Sequence, residues 1–211
     1  MTTPALLARG VCFAYAGHDV LHDVDARLDA GVLTAIAGEN GSGKSTLVEI
    51  MAGVRSPRSG VVERTGDIAL VVQRVRVPEG FPLTVRETVL MGTWTRRRPR
   101  REVQIAVDDA LARVGLIDLE KRSIHELSGG QRQRALIAQG IARDAAIMLF
   151  DEPAAGLDAE SRERTRQILK DEAARGRAIG WVTHDDEDLL CADRVIRLEA
   201  GRRTGDAKET L

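Results

Sequence analysis

Cysteine, long apolar runs and an excess of charge of either sign are all scarce in this sequence. Cys12 and Cys191 are its two cysteines, too few for a disulfide framework, which fits a reducing compartment. No apolar stretch approaches the roughly 18 residues needed to cross a bilayer, and residues 1–10 lack the apolar centre of a signal peptide. The formal net charge of −1 creates no field that would draw the chain onto nucleic acid or lipid. We therefore expect a cytoplasmic chain that binds no nucleic acid and meets a membrane only through a partner.

A glycine-rich segment between an apolar run and a helical pattern is the most informative stretch. Residues 38–45 fit G-x-x-x-x-G-K-[ST], the phosphate-binding loop pattern, and they follow an apolar run at 32–37 that indicates a buried strand. Glycines let the backbone approach phosphate oxygens closely, and the N-terminus of the helix that follows favours an anion. Lys44 would add positive charge at the β- and γ-phosphates, and Ser45 would place a hydroxyl on Mg²⁺. The predicted nucleotide-binding residues of this loop are Gly38, Glu39, Asn40, Gly41, Ser42, Gly43, Lys44, Ser45 and Thr46.

The remaining apolar segments predict an α/β fold. Strand patterns occur at residues 6–15, 20–28, 61–62, 68–72, 145–150, 178–183 and 195–198. Helical patterns occur at residues 46–52, 85–91, 102–114, 159–174 and from about 131. Strands that alternate with helices imply a mostly parallel sheet, whose ligands bind beyond the carboxyl ends of the strands. Lys44, Asp151, Glu152 and His184 follow such ends, so we expect these four side chains to converge on one site.

Asp151 and Glu152 directly follow the strongest apolar run of the chain. A carboxylate at such a strand end can hold Mg²⁺, often through water. A second carboxylate beside a metal-bound nucleotide can orient and deprotonate the attacking water. An acidic strand end could instead cap the following turn, but the phosphate loop favours the catalytic pair. We therefore predict Asp151 as a metal ligand and Glu152 as the general base.

Residues 127–131 read Leu-Ser-Gly-Gly-Gln and offer a second anion site at a helix N-terminus. With this segment beside the phosphate loop and the Asp-Glu pair, the sequence resembles the ATP-binding subunits of ABC transporters over essentially its whole length. The resemblance implies one domain with a P-loop core, an antiparallel β subdomain and an α-helical subdomain. It assigns residues 1–74 and 144–211 to the core with the β subdomain, and residues 75–143 to the helical subdomain.

The resemblance also implies that two copies pair head to tail around ATP and Mg²⁺. One ATP does not need two anion sites from a single chain. The resemblance implies that each ATP would lie between the phosphate loop of one copy and the second anion site of the other, formed by Ser128, Gly129, Gly130 and Gln131.

Further roles follow from the same resemblance. Tyr15 matches the aromatic residue that stacks on adenine, and His184 matches the histidine that contacts the γ-phosphate. Gln73 matches a glutamine that senses Mg²⁺ and the γ-phosphate and couples to the membrane partner, and Asp158 lies in a loop that touches the opposite copy. The implied catalytic residues are thus Glu152, His184, Lys44 and Gln73, and the implied metal-site residues are Ser45, Gln73 and Asp151.

Some local features stand apart from this pattern. Residues 154–156 read Ala-Ala-Gly where the family more often has a threonine-serine-alanine type of sequence. The basic run at 96–101 is typical of a solvated linker, with phosphate binding as the alternative. His18 and His22 have a spacing found in metal sites, but four ligands are not evident, so we expect no zinc site there. The short stretch after His184 leads us to expect no regulatory C-terminal domain.

The resemblance predicts an ATP-hydrolysing transporter subunit on the cytoplasmic face of the cell membrane. Its partners would be integral membrane permease subunits and an extracytoplasmic solute-binding protein. The alternative is a soluble ABC-type ATPase that acts on DNA or ribosomes. Such proteins usually carry two fused ATPase units or a long insertion, whereas this sequence has one phosphate loop and one ordinary helical insertion.

Only the segment after Gln73 bears on the cargo. Gln73-Arg74 and then residues 82–92, PLTVRETVLMG, resemble the corresponding segment in the ATPases of zinc and manganese importers. ATPases for iron-siderophore and cobalamin uptake carry a similar helix and remain the alternative. We predict a divalent-metal importer, with zinc ahead of manganese.

Overall fold

The computed structural model describes residues 3–72, 81–95 and 97–207. Gln73, Arg74 and Arg96 lie outside the described residues. Along the chain run the strands β1 Leu6–Tyr15, β2 His18–Leu28, β3 Leu33–Gly38, β4 Ser59–Arg64, β5 Ile68–Val71, β6 Ile147–Asp151, β7 Ala178–Val182, β8 Arg194–Glu199 and β9 Arg202–Ala207. The α-helices are α1 Lys44–Ala52, α2 Val85–Met91, α3 Arg100–Val114, α4 Gly129–Ala142, α5 Ala159–Ala174 and α6 Asp186–Cys191.

A six-stranded sheet in the order β5-β6-β7-β3-β8-β9 forms the centre of the fold. Its first five strands are parallel, and β9 pairs antiparallel with β8. All of β7 and the first five residues of β3 are buried, which explains their uninterrupted apolar sequences, since both faces of a parallel sheet are covered. The predicted α/β class with a mostly parallel sheet is confirmed.

A separate three-stranded antiparallel sheet, β2-β1-β4, covers one side of this core. Leu6, Val24 and Leu28 from this sheet join Leu47 and Ile50 of α1 in one buried apolar cluster. Helix α1 is therefore held between the two sheets, which sets the position of the loop that precedes it.

Helices α2, α3 and α4 pack against one another on the other side of the core. Val89 of α2, Leu111 of α3 and Ile137 of α4 share a buried cluster with Phe150 of β6 and Trp181 of β7. Thr84 begins α2 with a reciprocal capping box, in which its side chain and backbone both bond to Glu87. Among the described residues, none of these helices has both the length and the apolar content that crossing a bilayer would require.

The structure differs from the sequence prediction at four helices. Helix α1 begins at Lys44, two residues before the predicted start. Helix α4 begins at Gly129, before the predicted start near Gln131, because Ser128 caps it. Helix α3 begins at Arg100, inside the basic run that was predicted to be a linker. Arg98 of that run is largely buried and donates to the carbonyl of Arg143. The six-residue helix α6 was not predicted at all.

Candidate functional site

The loop before α1 is held in a tight curve by its own lysine. Nζ of the buried Lys44 donates to the backbone carbonyls of Gly38 and Glu39, at 2.8 Å each. Gly38 has a φ of +150°, and a Cβ there would lie 2.2 Å from the carbonyl oxygen of Leu198. The glycine is thus required by a close backbone approach from β8. The cationic side chain and the free N-terminus of α1 meet inside the curve, where an anion would be stabilised.

Ser45 and Asp151 form the polar contact between α1 and the end of β6. The Ser45 hydroxyl donates to Oδ1 of Asp151 at 2.9 Å. Burial raises the pKa of the Asp151 carboxyl above its ordinary value, and neighbouring Glu152 adds to the rise. A hydroxyl and a carboxylate are oxygen ligands of the kind Mg²⁺ takes. A cation beside them would offset the cost of burying this charge, so these two residues fit a magnesium site.

Glu152 and His184 face each other across the carboxyl ends of β6 and β7. His184 Nδ1 lies 3.8 Å from Oε1 of Glu152, and the imidazole is 64% exposed. Glu152 has a φ of +48°, a left-handed backbone that is strained for a residue with a Cβ. Strained residues of this kind cluster at functional sites.

A small cavity of about 70 Å³ lies between these two strand ends. Glu152, His184, Thr183 and Gly156 contribute to its wall, together with Trp181, whose indole is fully buried. The indole Nε1 has no hydrogen-bond partner among the described residues. Arg162, Asp185 and Asp188 also line it, so the cavity is a mainly polar pocket with the buried indole as an apolar part of its wall.

The N-terminus of α4 is capped by a reciprocal pair of bonds between Ser128 and Gln131. The Ser128 hydroxyl accepts from the Gln131 N–H at 3.2 Å, and the Gln131 side chain accepts from the Ser128 N–H at 3.0 Å. A Cβ on Gly130 would lie 2.2 Å from the Ser161 hydroxyl of α5, so this glycine allows close packing of the two helices. Ser128 and Gln131 thus sit beside the start of α5, as a second helix end that could take an anion.

Asp158 caps α5 at that same place. Its Oδ1 accepts from the Ser161 N–H at 2.8 Å and its Oδ2 accepts from the Ser161 hydroxyl at 3.0 Å. These bonds hold the pKa of the Asp158 carboxyl below its ordinary value. The carboxylate is therefore engaged within its own helix, while the preceding Gly156 turns outward with a φ of +74°.

Tyr15 lies at the end of β1 with its ring half exposed. The guanidinium carbon of Arg55 sits 4.8 Å from the ring centroid, and the ring of Phe13 meets it edge-on at 4.9 Å. Arg55 is held there by Glu49 of α1. A base that stacked on this face of Tyr15 would have to displace Arg55, which sequence reasoning did not foresee. The predicted contribution of Gln73 lies outside the described residues.

Sequence reasoning also missed the charged contacts that hold the segment carrying His184. Arg162 of α5 binds Asp185, the residue that caps α6, and Arg166 of α5 binds Asp188 in the first turn of α6. The only sequence signal is the four-residue spacing of the two arginines, which places them on one face of α5. Across the described ranges, no group of three or more His, Cys, Asp or Glu side chains that could hold a metal ion is found, either around His18 and His22 or around Asp151.

Comparison with known proteins gives one consistent family. The profile described as ABC transporter matches residues 21–155. The chain is 37% identical over 213 residues to the sulfate/thiosulfate import ATP-binding protein CysA of Mycobacterium tuberculosis, covering 95% of this chain and 60% of that protein. It is also 37% identical over 211 residues to the zinc transport system ATP-binding protein TroB of Treponema pallidum, covering 93% of this chain and 79% of that protein. The chain thus spans about 60% of the length of the CysA relative, which is less than two thirds.

A solved structure agrees with the sequence relatives. The chain superposes on cbiO1 from Clostridium perfringens, described as part of the ABC transporter complex cbiONQ, with a TM-score of 0.86. The two are 28% identical, and the match covers 98% of this chain and 89% of that one.

Proposed function

Because this chain belongs to the ABC transporter family, we propose that it binds ATP with Mg²⁺ and hydrolyses it to drive uptake of a solute. It does so on the cytoplasmic face of the cell membrane, bound to integral permease subunits. A solute-binding protein outside the cell membrane delivers the solute to these subunits. The observation that carries the proposal is the meeting of Lys44, Ser45, Asp151, Glu152 and His184 at one edge of the central sheet. A soluble ABC-type ATPase acting on DNA or ribosomes is the competing function.

The chemistry follows from what these side chains can do. Lys44 and the N-terminus of α1 bind the β- and γ-phosphates, and Ser45 with Asp151 would hold the metal. Mg²⁺, when bound, neutralises charge on the β- and γ-phosphate oxygens. Glu152 accepts a proton from the attacking water. His184, whose Nδ1 lies 3.8 Å from Oε1 of Glu152, orients the γ-phosphate.

The capped N-terminus of α4, which lies apart from the phosphate loop, supports a second copy as part of the site. Ser128 and Gln131 lie beside Ser161 at the start of α5, whereas the phosphate loop joins β3 to α1. Each helix end offers a site for an anion, so a head-to-tail pair would close each ATP between them. Gly156 and Asp158, next to the same helix end, then lie at the contact with the opposite copy.

The first experiment is ATP hydrolysis by the purified chain with Mg²⁺. Lys44→Ala should lose nucleotide binding and hydrolysis, because it removes the charge facing the phosphates. Lys121→Ala, an exposed lysine, is the matched control and should behave as wild type. Hydrolysis by Lys44→Ala at the wild-type rate would refute the site.

The pairing of two copies is tested with Glu152→Gln, which keeps size and hydrogen bonding but removes the base. Bound ATP should then persist and hold a dimer that is visible by size-exclusion chromatography. Adding Ser128→Arg should abolish the dimer, since a bulky cation at the α4 N-terminus blocks the phosphate contact. A monomeric Glu152→Gln protein at high concentration with ATP would contradict head-to-tail pairing.

For the cargo we propose a divalent metal ion, zinc ahead of manganese. The support is the segment around Gln73 and residues 82–92, together with the 37% identity to the zinc relative TroB. Equal identity to the sulfate/thiosulfate relative CysA favours sulfate as the second candidate. Cells lacking this chain should lose uptake of radiolabelled zinc or manganese under metal limitation while keeping sulfate uptake. Loss of sulfate uptake alone would overturn the metal assignment and leave the ATPase assignment intact.

Co-purification separates the transporter subunit from the soluble alternative. A chain that drives transport should be recovered with membrane protein, and recovery with ribosomes or DNA would favour the alternative.

A further inference from the structure

Arg166 of α5 and Asp188 of α6 form a buried ion pair behind His184. Arg166 Nε donates to Asp188 Oδ1 at 2.6 Å, and the two side chains are 6% and 2% exposed. Burial opposes the arginine's charge, but hydrogen bonds to Asp188 and to Glu163 raise its pKa above the ordinary value. A buried pair of this kind adds little stability over well-packed apolar residues of similar volume. We therefore ask which neighbouring residues the Arg166–Asp188 pair holds in position.

The pair is connected to both neighbours of His184. Asp188 Oδ2 accepts from the Thr183 hydroxyl at 2.5 Å, and that hydroxyl accepts from the Asp185 N–H at 3.1 Å. Thr183 and Asp185 flank His184, so one buried hydroxyl fixes the backbone on either side of the histidine. The imidazole is mostly exposed, and its position beside Glu152 depends on that backbone.

Helix α5 supplies a second tether one turn earlier. Arg162 Nη1 donates to Asp185 Oδ2 at 3.2 Å, and Asp185 Oδ1 caps α6 by accepting from the Glu187 N–H. Arg162 and Arg166 are four residues apart and so lie on one face of α5. The helix that begins after Asp158 therefore holds the whole segment that carries His184.

We propose that Arg166, acting through Asp188 and Thr183, is a positioning residue that holds His184 in place for the ATP hydrolysis proposed above, on which this inference rests. Its bonds run to α5 and α6, whereas Lys44 is held by the carbonyls of its own loop. Loss of the pair should therefore lower kcat and leave KM unchanged.

The test variant is Arg166→Met combined with Asp188→Leu, which removes both charges together and fills the space with apolar atoms. Arg164→Met is the matched control, because Arg164 lies on the same helix with a mostly exposed side chain. A displacement of about 1 Å in a reacting group can cost about 100-fold in rate. We expect a fall in kcat of about 10- to 100-fold in the pair variant and none in the control.

A background of His184→Ala separates positioning from general damage. If Arg166 acts through His184, the paired substitutions should cause no further fall in single-turnover rate once the imidazole is gone. An equal fall in both backgrounds, or a wild-type kcat in the pair variant, would overturn the proposal.

The ring resonance of His184 in NMR spectra gives a readout that does not depend on activity. It is assigned by its disappearance in His184→Ala, and it should shift in the pair variant but not in Arg164→Met. Thr183→Val, which leaves the ion pair intact, should shift it as well and serves if the pair variant does not fold. A resonance that stays at the wild-type position refutes the positioning role. If wild type hydrolyses ATP no faster than Lys44→Ala, the proposed function fails, while this resonance still decides whether Arg166 positions His184.

Discussion

Glu172 presents the sharpest stability prediction, because its buried carboxylate pairs with two largely buried arginines, Arg113 and Arg177, and with the more exposed Arg175. The Glu172 side chain is 1% exposed, and it accepts from Arg113 Nη1 of α3 at 3.2 Å and pairs with Arg177 Nε at 3.1 Å. Burial lowers the pKa of Arg177, because the buried guanidinium loses hydration that stabilises its charge. Glu172→Gln keeps the shape of the side chain but leaves two buried cations without their common counter-charge.

Removing one partner of a buried ion pair costs about 3–5 kcal/mol. We expect the lower end, about 3 kcal/mol, because Arg113 and Arg177 keep the exposed partners Asp109 and Asp144. At about 2–4 °C per kcal/mol for a chain of this size, the midpoint of thermal unfolding should fall by roughly 6–12 °C. Circular dichroism at a fixed scan rate and neutral pH measures this shift.

Glu160→Gln is the matched control for this prediction. Glu160 lies on the same helix, its side chain is mostly exposed, and its nearest arginine contact is a loose 3.9 Å pair with Arg164. Its midpoint should stay close to that of wild type, since exposed pairs add little. A Glu172→Gln midpoint equal to that of Glu160→Gln would refute the reasoning that the carboxylate is a needed counter-charge.

Three further predictions concern the loop, the metal site and a helix start. Gly38→Ala should unfold at a much lower temperature than Gly41→Ala in thermal scans, because both residues have positive φ but only a Cβ at Gly38 meets backbone, 2.2 Å from Leu198 O. Burial raises the pKa of Asp151, so the folded chain binds the carboxyl proton more tightly than the unfolded chain does. The free energy of unfolding therefore falls as the pH rises above the ordinary pKa of 3.8 and through the raised pKa of the folded chain. In thermal scans without nucleotide, the unfolding midpoint of Asp151→Asn should therefore rise relative to that of wild type as the pH approaches neutral. The variant should also lose Mg²⁺-dependent hydrolysis. Midpoints of variant and wild type that change in parallel with pH would contradict this prediction. Thr84→Ala should cost about 1 kcal/mol by removing the α2 cap, and an unchanged urea midpoint would show that the capping box is not needed.

The strand, loop and helix from β3 to α1 could be predicted from the sequence because each part is defined locally. A continuous apolar run forms a strand buried on both faces, and the Lys44 side chain bonds to two carbonyls of its own loop. The close approach of β8 to Gly38, by contrast, comes from a distant segment. The same holds for Asp151 and Glu152, which follow an apolar strand directly. Their convergence with Lys44 and His184 then follows from the parallel sheet.

What the sequence did not predict depends on contacts between distant segments. Helix α6 has six residues, too few for a periodic apolar face, and it is anchored by Asp188 reaching back to Arg166 of α5. The arginine over Tyr15 arrives from the turn after α1, held by Glu49. The Arg55 contact leaves no pattern in the local sequence. The four-residue spacing of Arg162 and Arg166 places both on one face of α5 but does not identify their partners, since charged residues at such spacings are usually solvated.

Trp181 gives the chain an optical reporter inside its own site. The indole is buried in β7 shortly before His184, it lines the cavity with Glu152, and Nε1 has no partner among the described residues. Its emission should therefore be that of an indole shielded from water, and a rearrangement of either strand end should change it. The other tryptophan, Trp94, is 71% exposed, so its emission should be that of an indole in contact with water. Replacing Trp94 with phenylalanine would leave one tryptophan, so that the arrival of ligand at the strand ends could be followed in time by tryptophan emission without any added label.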